Sequence, residues 1–140
     1  MFRVSCIQLR SNNNIEYNLK KTKKFILKAI KQKADFILTP EVSSLFSLNK
    51  KQLLKVCTSM NKDMYLQGIK KIAKNYKKWI LVGSLIIKIG KNKLVNRSIL
   101  IDKNGKIRTY YDKIHMYDAK LSKKERYFES IDDGKDLLRK

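Results

Sequence analysis

The run Trp79-Ile80-Leu81-Val82-Gly83-Ser84-Leu85-Ile86-Ile87-Lys88-Ile89 decides the fold class, because it is almost continuously apolar and rich in β-branched side chains. Such a run reads as a buried strand and not as a helix. Just upstream, Leu66, Ile69, Ile72, Ala73 and Tyr76 recur at helical spacing, which predicts a helix over 62–77, preceded by a shorter one over 49–58. Ala34 to Thr39 is a short apolar strand stopped by Pro40. Before it, Ile15, Leu19, Thr22, Ile26, Ala29 and Ile30 form one stripe of a helix running to about Lys33, introduced by cap chemistry at Ser11-Asn12-Asn13-Asn14. Lys20, Lys21, Lys24, Lys28 and Lys31 mostly fall off that stripe and read as a solvated face. Residues 2–9 alternate with both faces partly apolar, which predicts a buried central strand. Strand, helix, strand in this order makes the chain α/β, with helices covering a sheet.

Working downstream, Gly90-Lys91-Asn92-Lys93 is a turn, so residues 94–101 return antiparallel. Asn104-Gly105, within the turn 102–106, is a strong hairpin signal and sends residues 107–111 back as another strand. The tail after Leu121 is charged, with a turn at Asp132-Asp133-Gly134 and no assignment over 135–140. No repeat or low-complexity linker divides the 140 residues, which fit one domain.

Composition narrows the function. The apolar fraction of 43% is that of a folded protein, and no apolar run approaches the roughly 20 residues of a membrane helix. The amino terminus lacks the pattern of a signal peptide, which leaves the cytoplasm as the expected location. The formal charge of +21 invites a nucleic-acid partner. Yet the cations are overwhelmingly lysine and scattered, whereas base reading and bidentate phosphate contact favour arginine. Nucleic-acid binding is therefore the lesser reading. Cys6 and Cys57 are far apart and read as two reduced, buried thiols, Cys6 packed within the first strand. His115 has no ligand partner at metal spacing, so neither metal nor cofactor is expected.

Three side chains carry chemistry. Glu41 follows Thr39-Pro40 at the carboxyl end of a strand, where α/β sheets place ligands, although alone it reads as an ordinary loop carboxylate. Lys113 lies in Tyr110-Tyr111-Asp112-Lys113-Ile114-His115-Met116-Tyr117-Asp118, between aromatic and acidic neighbours. Glu129 is a second carboxylate, in Phe128-Glu129-Ser130. These three are expected to converge on one pocket. His115 reads as a structural turn residue and not as an acid or base.

These residues resemble the carbon–nitrogen hydrolases, the nitrilase superfamily. Val4-Ser5-Cys6-Ile7-Gln8-Leu9 is similar to its first strand and Thr39-Pro40-Glu41 to its general-base segment. Val82-Gly83-Ser84, Leu94-Val95-Asn96-Arg97-Ser98 with Asn104-Gly105, the Lys113 segment and Glu129-Ser130 with Gly134 follow in the family's order. The resemblance implies the N-terminal half of a four-layer α-β-β-α sandwich, usually oligomeric, that hydrolyses a non-peptide C–N bond in an amide or nitrile. It implies Glu41 as the base for a cysteine and later for water, Lys113 as the oxyanion donor, and Glu129 as the group that orients Lys113. A thiol needs an adjacent base at neutral pH, and a desolvated ammonium is a strong donor to a developing oxyanion. The family's nucleophile lies beyond the second glutamate, so no cysteine of this chain takes that part. The chain is then expected to be truncated, inactive alone, and prone to join a complementary C-terminal half or further copies. An amide is a better expectation than a nitrile. The alternatives are a non-catalytic interaction protein of the same fold and a basic nucleic-acid-binding protein.

Overall fold

A computed structural model describes residues 1–47 and 49–115, together with the backbone of 118–120 and 126–128. The order is β1 (Val4–Cys6), α1 (Ile15–Lys31), β2 (Phe36–Thr39), α2 (Lys50–Val56), α3 (Met64–Tyr76), β3 (Trp79–Lys88), β4 (Leu94–Ile101) and β5 (Ile107–Asp112). Two short strands, β6 (Asp118–Lys120) and β7 (Arg126–Phe128), pair with each other and have no counterpart in the sequence reading. The main sheet runs β1-β2-β3-β4-β5, parallel across its first three strands and antiparallel thereafter.

Each helix begins where a side chain caps it. Asn14 accepts from the Tyr17 amide at 2.9 Å, Asn49 from Gln52 at 3.1 Å and Asp63 from Leu66 at 2.7 Å, each satisfying an amide that the helix cannot. The α1 and α3 stripes pack on the sheet. Ile26, Ile37, Ile69, Ile80, Ile99 and Ile101 are all fully enclosed there, each stabilising the fold by roughly 1.5–3 kcal/mol. Between the helices the Tyr65 hydroxyl donates to Thr22 Oγ1 at 2.8 Å, and Thr22 in turn donates to the Asn18 carbonyl at 2.8 Å. No helix among the described residues is long and apolar enough to cross a membrane.

Three expectations are corrected. The first strand spans only Val4–Cys6 and lies at an edge, paired among the described residues with β2 alone. Its Arg3-Ser5-Ile7-Leu9 side turns to the helices, while Phe2, Val4 and Cys6 stand on the other side, where no described layer covers them. Cys6 is accordingly exposed; only Cys57 is buried. Tyr76 of the α3 stripe is also exposed, and the buried tyrosine is Tyr65 at the other end of the helix.

Candidate active site

Glu41 and Lys113 meet. Lys113 Nζ donates to Glu41 Oε1 at 3.0 Å across 72 positions of sequence. Asn96 Nδ2 donates to the same oxygen at 2.9 Å, and the Asn96 carbonyl accepts from the Lys113 amide at 2.8 Å. Asn96 is buried in β4 and so ties the carboxylate to the lysine through both its side chain and its backbone. Glu129 lies outside the described residues. His115 is exposed on a bend just past Lys113.

The turn that presents Glu41 is fastened to β3. The register of β3 against β4 shifts between Val82 and Leu85, and Gly83 and Ser84 occupy that irregularity. Ser84 uses three groups on the turn. Its amide donates to the Pro40 carbonyl at 3.3 Å, its carbonyl accepts from the Ser43 amide at 3.0 Å, and its hydroxyl accepts from the Val42 amide at 2.8 Å. Thr39 Oγ1 accepts from the Gly83 amide at 3.2 Å and from the Ser43 hydroxyl at 3.0 Å. From the other flank, buried Asn18 of α1 donates to the Ser44 carbonyl at 2.9 Å. Val42, immediately after Glu41, has a φ of 50°, a conformation costly for a β-branched residue. The bonds around it over-determine that geometry. Gly83 allows the close approach, since a Cβ there would lie 2.2 Å from the Thr39 carbonyl oxygen.

The β4–β5 side is held by Arg97 and Asp112, the chain neighbours of Asn96 and Lys113. Arg97 Nε and Nη2 donate to the two Asp112 oxygens at 2.6 and 2.7 Å, and the guanidinium lies 4.0 Å from the centre of the Tyr110 ring. The hydrogen bonds and charge of Asp112 push the Arg97 pKa still higher, so the guanidinium stays charged.

The site is more open than the sequence implies. The Glu41 side chain is 56% exposed and that of Lys113 32%, so the ammonium is only partly desolvated by the described residues. An ion pair this exposed contributes on the order of 0–1 kcal/mol, too little to explain why so many bonds converge on it. Neither thiol takes part. Burial, with the negative charge of Asp63 adding to it, pushes Cys57 up to about 11, leaving it inert as a nucleophile at neutral pH. Cys6 pairs in register with Leu38, short of the strand end that carries Glu41. Among the described residues no group of His, Cys, Asp and Glu could hold a metal ion.

The sequence reading gives roles to Glu41 and Lys113, quotes Asn96 and Ser84 only within family-like segments without a role, and does not name Asn18. A signal was present for Asn96, an amide side chain inside the otherwise apolar Leu94–Ile101 strand. None existed for Asn18, whose role depends on where the turn after Glu41 lies.

Residues 3–136 match the model of the carbon–nitrogen hydrolase family, and the chain belongs to that family. It is 31% identical to the deaminated glutathione amidase of Yersinia enterocolitica over 120 residues, 84% of this chain and 41% of that protein. The citrullinase of Francisella tularensis is 31% identical over 131 residues, covering 91% of this chain and 45% of the relative. The crystal structure of the Caenorhabditis elegans NitFhit protein superposes with a TM-score of 0.79 at 26% identity, over 93% of this chain and 33% of that one. The chain thus spans less than half the length of these relatives, and its described part has the nitrilase fold.

Proposed function

We propose that Glu41 and Lys113 are the base and the oxyanion donor of an amidase-type carbon–nitrogen hydrolase, whose cysteine nucleophile is supplied by residues outside 1–140. The observation that carries this reading is the 3.0 Å contact between the two side chains, just past the carboxyl end of β2 and held there by Asn96 of β4. Glu41 takes the thiol proton as sulfur attacks the substrate carbon, and the negative charge that develops on oxygen falls to the Lys113 ammonium. The proton passes to the departing amine as the C–N bond breaks, leaving a thioester. Glu41 then removes a proton from water, which attacks the thioester and frees the acid. Glu129 is proposed to orient Lys113. Two relatives, named a deaminated glutathione amidase and a citrullinase, favour an amide or ureido C–N bond over a nitrile. We further infer a four-layer sandwich completed by a C-terminal half, with a cytoplasmic location and oligomers as in the family.

The test joins residues 1–140 to the C-terminal half of the Yersinia amidase and follows ammonia release from small amides. Turnover is expected from the joined protein and none from the 140-residue chain alone. Glu41→Gln and Lys113→Met should each lower kcat by about 10²-fold or more with the fold intact. Full activity in either variant overturns the assignment. A second reading, a non-catalytic partner protein of the same fold, draws on the uncovered side of the sheet; stable folding of the 140-residue chain with no turnover in the joined protein would favour it.

A further inference from the structure

The helical layer carries a feature for which the Glu41–Lys113 site has no use. Along the length of α1, bordered by α3 only at its two ends, runs a cleft of about 900 Å³. Leu19, Leu27 and Ile30 line it from α1, and Met64 and Tyr76 from α3, these last two 45% and 46% exposed. Lys20, Lys23, Lys24, Lys28 and Lys31 rim it, against the single carboxylate of Glu16. None of the ion pairs among the described residues involves these lysines.

We propose that this cleft is a docking groove for an acidic amphipathic helix of a partner protein. Its dimensions fit. Glu16 and Met64 belong to the first turns of α1 and α3, Lys31 and Tyr76 to the last, so the cleft follows the 17-residue α1 for roughly 25 Å. That is the length of a helix of about four turns. Its chemistry fits as well. An apolar stripe would seat on Leu27, Ile30, Met64 and Tyr76, while flanking carboxylates meet the lysine rim.

The other occupants fit less well. A second copy would bring the same lysines against this rim, in a chain of net charge +21. A bilayer takes up a helix whose apolar and cationic residues fall on separate faces, whereas here lysines and apolar side chains line one cleft together. A nucleic acid would leave the apolar lining unused, and lysine lacks the guanidinium fork that grips phosphate.

The experiment uses the 140-residue chain and a labelled synthetic 15-residue peptide with leucine on one helical stripe and glutamate elsewhere. Fluorescence anisotropy should report saturable one-to-one binding. A peptide of the same composition with its leucines dispersed should bind at least tenfold more weakly. The triple variant Lys23→Glu, Lys24→Glu, Lys28→Glu should lose at least tenfold, and so should Met64→Asp, a change at an exposed position. A triple of equal charge change elsewhere, Lys51→Glu, Lys91→Glu, Lys103→Glu, should lose less than threefold, with circular dichroism unchanged in all variants. Equal losses in the two triples, or equal binding of the dispersed peptide, would reduce the effect to net charge and overturn the proposal. It would equally be overturned by absence of binding, by a preference for phosphatidylserine vesicles or duplex RNA, or by self-association that Met64→Asp abolishes. None of these outcomes depends on the assignment of Glu41 and Lys113.

Discussion

The two sides of the central sheet are made from the same strands and have opposite fates. One register row reads Ser5, Ile37, Ile80, Ile101 and Ile107, and its middle three side chains are fully enclosed beneath α1 and α3. The next row reads Cys6, Leu38, Leu81, Leu100 and Thr109, and none of these is buried. Val4, Phe36 and Trp79 continue that uncovered side, with only a small cluster of Leu45, Leu53, Cys57, Ile86 and Leu94 closing part of it under α2. Asn96, alternating with Val95 and Arg97, points to the same uncovered side and reaches Glu41 there. The helix side therefore holds the fold together, and the bare side carries the Glu41–Lys113–Asn96 cluster to which the chemistry is assigned in our proposal.

The contrast can be broken most directly by paired truncations. Ile80→Ala should cost about 2–5 kcal/mol in denaturant melts, whereas Leu81→Ala, one residue away and on the open side, should cost under about 1 kcal/mol. Equal costs would mean that the open side is covered after all. Gly83→Ala strikes the seam between the sides. Its methyl would collide with the backbone of Thr39 and Pro40, costing about 1–3 kcal/mol and displacing Glu41, so a nuclear magnetic resonance spectrum should register shifts at both Glu41 and Lys113.

The α2 patch is tested by pH. Cys57 is raised in the fold from 9.0 to about 11, so its contribution is fully present below pH 9 and is lost as pH rises through 11. Thermal melts between these limits should fall by the equivalent of about 3 kcal/mol from the thiol, and Cys57→Ala should flatten that part of the slope. Tyr65, raised from 10.0 to about 12 mainly by burial, adds a loss of the same sign between pH 10 and 12, overlapping the upper half of that window. The smallest test leaves the fold undisturbed. A thiol reagent should label Cys6 in the native protein within minutes and Cys57 only after unfolding; equal protection of the two would contradict the open face.

Much of this architecture was legible because it rests on local pattern. The α1 stripe, the apolar β3 run and the Asn104-Gly105 turn each state their structure within a dozen residues. So was the pairing of Glu41 with Lys113, through resemblance to a family. What escaped depends on layers and on distance. The Phe2 to Leu9 alternation is apolar on both sides, and nothing in it says whether the second side is covered by the chain itself. Tyr65 and Tyr76 are both plausible core residues at helical spacing, and only the position of Thr22 on α1 selects Tyr65. Ser84 looked like an ordinary strand residue because its partners lie about forty positions earlier.

That last separation bears on when the site forms during folding. The turn at Glu41 has no fixed shape until Ser84, 42 positions after Val42, has docked beside it, and the lysine arrives later still from the far strand of a hairpin. Contacts closing loops this long assemble slowly. A chain emerging from the ribosome would thus expose the whole of α1 long before Glu41 acquires a partner, and the corner that joins Glu41 to Lys113 would be among the last parts to mature.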